Sequence, residues 1–391
     1  MSLWWMGGVG ASSFGVAETN YPTLWSGGWT WEAAGSGTGT QGYWQTSGAA
    51  TDRTGTPQLS VALAGEPVLH TVRRASFGVG KDDWLTQVQP STASIEVEGE
   101  VAADVMSEVV IAVLSTVTDQ HSDALWVGYV DDVSRTTDAS GHVVTSVSCI
   151  DVIGRLGQAT VPDDYPSLGY PDSALADFIE ATAAGVGTSL VVEDDSTLAI
   201  DSGTVSDYED GETVLAYLNR VEQADNLNLF ALGSGRLAIQ RRWYVSSPDL
   251  DPAPTPVDLD AAAPPSAWTE RLSPTSVLNA WGADFPATPA MTASRLAYGK
   301  RASVPPDDND GWGQMIGTGL LNSPRWLLDS ASFPIEDLAH AALFVGPNHW
   351  VTLGGRDWQV LSVRHEVNPG HDWTMTLTGD STQPLLHQEY S

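Results

Sequence analysis

Cysteine, lysine and long apolar runs are nearly missing from this chain of 391 residues. Cys149 stands alone, which excludes an intrachain disulfide and any zinc site built on cysteines. Lys81 and Lys300 are the two lysines, and with the arginines they bring the basic total to 17 against 49 acidic side chains. The resulting formal charge of −32 repels phosphates, so a protein that wraps or reads nucleic acid is excluded. No apolar run approaches the ~20 residues that span a bilayer as a helix. The opening Met1-Ser2-Leu3-Trp4-Trp5-Met6 lacks a basic n-region, so Sec-type export is not expected. Abundant Asp with almost no Lys fits either a saline cytoplasm or a high-GC genome, and composition leaves both open.

What is present suffices for a packed fold. Hydrophobic residues make up 42% of the chain, enough for a core. The length fits two to four domains of ~100–200 residues. Residues 1–56 form an arm rich in Gly, Ser and Thr, nearly free of charge, that holds Trp4, Trp5, Trp25, Trp29, Trp31 and Trp44. Within it, Gly35-Ser36-Gly37-Thr38-Gly39-Thr40 reads as a flexible loop. Tryptophans this dense need a surface to bury them, so these six are the candidate intersubunit contacts. An aromatic platform for a sugar is the sharper alternative.

From residue 57 the pattern turns to β. Leu59 to Leu63 alternates and returns through Gly65-Glu66-Pro67 into Val68 to Val72, as a hairpin does. Ser94 to Val101 alternates apolar with acidic residues, Val109 to Leu114 and Leu125 to Val130 are further strands, and Val143, Thr145, Val147 and Cys149 share one strand face. Together these predict a first antiparallel barrel over 57–165. An α+β unit follows over 166–255. It has a helix on Leu175, Phe178, Ile179 and Thr182, a strand at Ser189 to Val192, and a second helix on Val214, Leu215, Leu218 and Val221. Leu227 to Phe230 then turns through Gly233-Ser234-Gly235 into Arg236 to Ile239. Prolines 252, 254, 256, 264 and 265 mark a linker or long loop. A second β-barrel over 256–391 carries a strand at Val277 to Trp281, a short helix at Ile335 to Phe344, and two closing strands joined at Asn368-Pro369-Gly370. In the first of these, Trp358, Val360, Ser362 and Arg364 are expected on one face and Leu361, Val363 and His365 on the other. In the last, Trp373, Met375 and Leu377 oppose Thr374, Thr376 and Thr378. The fold class is mainly β with α+β insertions.

Chemistry finds no foothold. Asp307-Asp308-Asn309-Asp310-Gly311 resembles a calcium loop, but aligning Gly311 puts Pro306 at the first ligand position and Gly317 where a Glu is required. His365-Glu366 opens a zinc-protease pattern that His371 and the helix-breaking Pro369 do not complete. Gly37 to Gly42 matches a dinucleotide fingerprint in letters alone, without the flanking strand and helix. No spacing singles out a pair of catalytic carboxylates. Neither catalysis nor a cofactor or metal is expected.

The ordered series of strands resembles the phage tail hub proteins. It is carried by Ser94-Ile95-Glu96-Val97, Leu125-Trp126-Val127-Gly128-Tyr129-Val130, and Val144 through Cys149 into Asp151-Val152-Ile153-Gly154-Arg155-Leu156. In that family a strand ends in an Asp followed by an apolar helical turn, the places taken by Asp151 and Leu156. The helix and Asn-x-Phe strand of the middle unit, Asn279-Ala280-Trp281, and the closing strands continue the likeness, so it covers residues 57 to 380. The resemblance implies a homotrimeric ring of paired barrels at the tail tip of a virion, put together in the host cytoplasm. Such a ring contacts the distal tail protein and tip or receptor-binding proteins. It surrounds a channel for the tape-measure protein and for DNA, which only passes through. Three copies would triple the charge of −32, so an acid-lined lumen that keeps DNA from sticking is expected. The alternatives are a distal tail ring or other minor tail protein, and a carbohydrate-binding protein using the N-terminal tryptophans.

Overall fold

A computed structural model gives the fold. It describes residues 29–33, 42–46, 58–68, 72–81, 88–114, 122–137, 141–161, 192–194, 211–224, 227–233, 237–241, 256–262, 267–273, 279–281, 289–300, 302–303, 324–335, 340–347, 349–368 and 372–381, with 139, 235, 265, 277 and 338. The arm contributes a two-stranded ribbon, β1 (Trp29–Ala33) and β2 (Gly42–Thr46). Then come β3 (Gln58–Leu63), β4 (Glu66–Pro67), β5 (Val72–Gly80), β6 (Thr92–Glu98), β7 (Glu108–Leu114), β8 (Ser122–Thr137), β9 (Val143–Ile150) and the short helix α1 (Val152–Leu156). The middle of the chain holds β10 (Val192–Asp194), α2 (Val214–Ala224), β11 (Leu227–Ala231) and β12 (Leu237–Arg241). The remainder runs β13 (Val257–Asp258), α3 (Leu259–Ala262), β14 (Ala267–Ser273), β15 (Ala280–Trp281), α4 (Pro289–Tyr298), β16 (Ala302–Ser303), β17 (Arg325–Pro334), a 3-10 turn (His340–Phe344), β18 (Trp350–Leu353), β19 (Arg356–Val367) and β20 (Trp373–Asp380).

Thirteen of these strands form one sheet, in the order β14-β17-β20-β19-β5-β6-β9-β8-β7-β3-β4, with β18 added on β19 and β13 on β18. The expected mainly-β, antiparallel class holds. The two β-rich stretches are joined by an antiparallel seam between β5 and β19, running from Ala75 opposite Val367 to Gly80 opposite Ser362. The seam strands come unusually close at Gly80, where φ is +112° and a Cβ would lie 2.2 Å from the Leu361 carbonyl oxygen. Only a residue without a side chain fits there.

Local sequence explains most elements. In β6, Ala93, Ile95 and Val97 are buried while Ser94 and Glu98 are exposed, the alternation of a strand packed on one face. β9 does the same with Thr145, Val147 and Cys149 inside. In β7 the run Val109 to Val113 is buried on both faces, so no alternation appears. Strand β9 ends at Asp151, whose carboxylate accepts from Gly154 N at 2.9 Å as the cap of α1 and from Ser91 N at 2.8 Å. That carboxylate thereby ties the start of β6 to the end of β9. One core runs beneath both stretches and includes Phe77, Ile95, Trp126, Phe333, Trp358 and Met375. Burying each such side chain fully stabilises the fold by roughly 1.5–3 kcal/mol.

Three expectations change. The proline-marked stretch is more than a linker or long loop: β13 pairs with β18, and Leu259 of α3 is fully buried in the core. In β19 a bulge between Val360 and Ser362 inserts one residue into the ladder with β20. Trp358 and Val360 therefore share the core with Val363 and Val367, instead of lying on the opposite face from Val363. The strand at Val277 to Trp281 shrinks to β15, paired in parallel with β16. By contrast, β20 alternates as its sequence dictates, and Asn368 N bonds Asp372 O where β19 turns back into β20. The helix read at Leu175 to Thr182, residues Ser189 to Val191, the loop Gly35 to Thr40 and the acidic loop Asp307 to Gly311 lie outside the described residues.

Candidate assembly surfaces

Of the six candidate contact tryptophans, Trp4, Trp5 and Trp25 lie outside the described residues. Trp29 and Trp31 take alternate positions of β1, and Trp31 is the cross-strand partner of Trp44 in β2. The backbone thus brings three of the six onto one ribbon.

The body carries further surfaces that composition did not reveal. Strand β14 ends the large sheet, and its described ladder runs to β17 alone. It is exposed along most of its length, with Trp268 41% and Leu272 49% exposed. An end strand bearing apolar side chains is a ready surface for another chain. Behind it, the Arg356 guanidinium lies 4.4 Å from the Trp326 ring and 5.3 Å from that of Trp358, and 3.8 Å from the Glu270 carboxylate of β14. The Asp260 carboxylate of α3 accepts from two successive amides, Gly354 N at 2.8 Å and Gly355 N at 2.9 Å. The Arg356–Glu270 pair links β19 to the end strand, and the Asp260 bonds tie α3 to the turn between β18 and β19. On α4, Leu296 is 86% exposed. The Ala267–Ser273 segment lacks the apolar alternation that would mark it as a strand, and α4 is dominated by Ala, Thr and Ser, so neither stood out in sequence.

The middle unit is clamped to the sheet. Its β10-β12-β11 sheet is parallel between β10 and β12 and antiparallel between β12 and β11. Thr213 bridges Thr160, and Val214 N donates to Ala159 O, which joins α2 to the segment after α1. The turn after β11 lies so close to β8 that a Cβ on Gly235 would sit 2.8 Å from Val127 Cβ. A further link is electrostatic. Lys81, just after β5, forms an ion pair with Glu222 of α2, the two side chains being 3% and 0% exposed. The same carboxylate accepts from Val88 N at 2.8 Å and Leu229 N at 3.0 Å. One buried anion thus binds three stretches of chain.

Several titratable groups lie within the core. Burial, with the Asp131 charge adding to it, pushes the Cys149 thiol up to about 12, so it stays protonated. His365, the residue of the incomplete zinc pattern, lies in the core, stacked on Phe77 at 4.9 Å between ring centres. Its Nδ1 accepts from Trp373 Nε1 at 3.3 Å, and burial drives its pKa down to about 3. Glu366 beside it points outward and pairs with Arg364 at 3.2 Å. A shallow cleft lined by Arg271, Leu327, Asp329, Thr378 and Asp380 is crossed by the Arg271–Asp329 ion pair at 2.7 Å. Among the described residues, no group of three or more His, Cys, Asp or Glu side chains is placed to hold a metal ion.

No protein-family model and no curated protein matches the chain. Among solved structures it is similar to the 43 kDa tail protein of prophage MuSo2 from Shewanella oneidensis. That match has 14% identity and a TM-score of 0.56 over 83% of this chain and 98% of that one. It is similar to the tail protein of Neisseria meningitidis MC58 at 15% identity and a TM-score of 0.56, over 83% of this chain and 96% of that one. The chain shares the fold of both proteins over almost their whole length.

Proposed function

We propose, from a fold shared over almost the whole length of two tail proteins, one of them from a prophage, that this chain is a structural protein of a phage-type tail and serves there as the hub. In this reading three copies close a ring at the tail tip, with 57–165 and 256–391 as its β-rich halves. The ring joins the distal tail protein to tip or receptor-binding proteins, and the tape-measure protein and then DNA leave through its channel. The N-terminal tryptophans and the end strand β14 bury apolar surface between neighbours, as the large interfaces of permanent assemblies do. The protein performs no reaction. It is assembled in the host cytoplasm and ends in the virion. The observation that carries the reading is the 96–98% coverage of both tail proteins at a TM-score of 0.56.

Native mass measurement on the full chain tests it, together with labelling of the chain in intact particles. A trimer and label at the tail tip are expected. A hexamer points instead to the distal tail ring. A monomer that binds glycans, and loses them in Trp29→Ala and Trp31→Ala, overturns the hub in favour of carbohydrate recognition.

A further inference from the structure

The face of the large sheet opposite the core is paved with hydroxyls over six adjacent strands. One row of cross-strand partners reads Thr374, Glu366, Ser76, Ser94, Ser148 and Asp132, from β20 through β19, β5, β6 and β9 to β8. A parallel row runs Arg74, Glu96, Ser146 and Ser134. Toward β17 the hydroxyls satisfy one another: Ser332 bonds Thr376 at 3.0 Å and Ser362 bonds Thr378 at 2.7 Å.

The arginines of this face stand beside carboxylates. Arg364 Nε lies 3.2 Å from Glu366 and its Nη2 donates to Ser76 Oγ at 3.3 Å. Arg73 lies 3.7 Å from Glu98, and Arg74 stands opposite Glu96 in the ladder. The exposed large hydrophobics are all elsewhere among the described residues: Val105 in the loop before β7, Trp268 and Leu272 on the core side of the end strand, Leu296 and Tyr298 on α4. A phosphate backbone binds by displacing counterions at free cations, and apolar groups bind by burying area. Among the described residues this face presents no exposed large hydrophobic, and its arginines stand beside carboxylates.

We infer that the hydroxyl face is the channel wall of the ring, the surface past which duplex DNA moves without adhering. The inference rests on the hub reading above. It differs from the acid-lined lumen expected from composition, because on this wall the carboxylates serve to silence arginines. Adhesive side chains are left to the surfaces that meet other proteins.

The test converts the wall into a sticky one. Ser94→Arg, Ser148→Arg and Thr376→Arg are combined in the full-length ring, whose trimeric state is first checked by native mass. The variant is then mixed with linear duplex DNA and with the same DNA as a covalently closed circle, which cannot thread a closed ring. The unmodified ring retains neither. The variant is expected to retain the linear form alone, with a slope of up to about −2.7 in log affinity against log salt for three new phosphate contacts. Equal retention of both forms places the face outside and overturns the inference, as does retention of neither. Cysteine labelling gives a second readout. Thr376→Cys in the ring should accept a small maleimide and refuse a bulky polymer-linked one, whereas Leu296→Cys accepts both; protection of Thr376→Cys from both reagents makes the face a subunit interface and sinks the proposal. A trimer that fails these tests leaves the hub reading standing, whereas a chain that stays monomeric removes the ring and the wall together.

Discussion

Replacing Lys81 by Met takes the cation away from a carboxylate that is fully buried in α2. Glu222 then keeps the backbone donors Val88 N and Leu229 N but loses its cation. Breaking a buried pair in this way typically costs ~3–5 kcal/mol, a large share of the ~5–15 kcal/mol by which domains are stable. Glu222→Gln removes the anion instead and costs a similar amount. The double variant removes both charges while the amide oxygen still accepts a backbone N–H. It should therefore recover much of the loss and show a coupling of about 1–3 kcal/mol. Urea midpoints give the energies. Hydrogen exchange gives the place: the Val88 and Leu229 amides, which donate to this carboxylate, should exchange faster in Lys81→Met while β19 and β20 keep their protection. Single variants that each cost under ~1 kcal/mol, with an additive double, would refute the idea that this pair holds the middle unit in place.

Two further outcomes follow from the interior. Asp151 is raised to about 6 by burial, against the opposing bonds from Gly154 and Ser91, so the folded chain takes up its proton before the unfolded one. This group adds stability as pH falls from about 6 toward 3.8. His365 acts the other way: its folded value of about 3 lies below its ordinary 6.5, so stability drains away as pH falls between the two. The contributions oppose each other, and Asp151→Asn should steepen acid denaturation below about pH 6 by up to ~1.4 kcal/mol per pH unit in chemical-denaturation series; an unchanged slope refutes the raised value. At the seam, Gly80→Ala should destabilise by roughly 1–3 kcal/mol, read as a lower Tm, because its Cβ meets the Leu361 carbonyl. A neutral result there would mean that β5 and β19 do not meet as described.

Strands with a local signature were legible: β6, β9 and β20 alternate, α2 shows its apolar stripe, and Asp151 marks the helix that follows β9. The β5–β19 seam was not, because pairing between distant segments leaves no trace in either. The bulge in β19 was invisible for a related reason, since one inserted residue reverses which face is buried without changing residue types. Counting tryptophans marks residues 1–56 as a block of their own, but the Trp31–Trp44 pairing needed the backbone. The Lys81–Glu222 clamp joins residues 141 positions apart, and only the scarcity of lysine hinted that Lys81 had a task.

The seam also dictates an order of events during synthesis. Arg364 and Ser76, bonded across it, are 288 residues apart. At ~5–20 residues per second a ribosome needs roughly 15–60 s to cover that distance. Throughout that interval the nascent β5 waits with a vacant flank, open to a strand from a neighbouring polypeptide on the same message. Copies made side by side therefore risk exchanging their closing strands, and a ribosome pause ahead of β19 would lengthen that exposure.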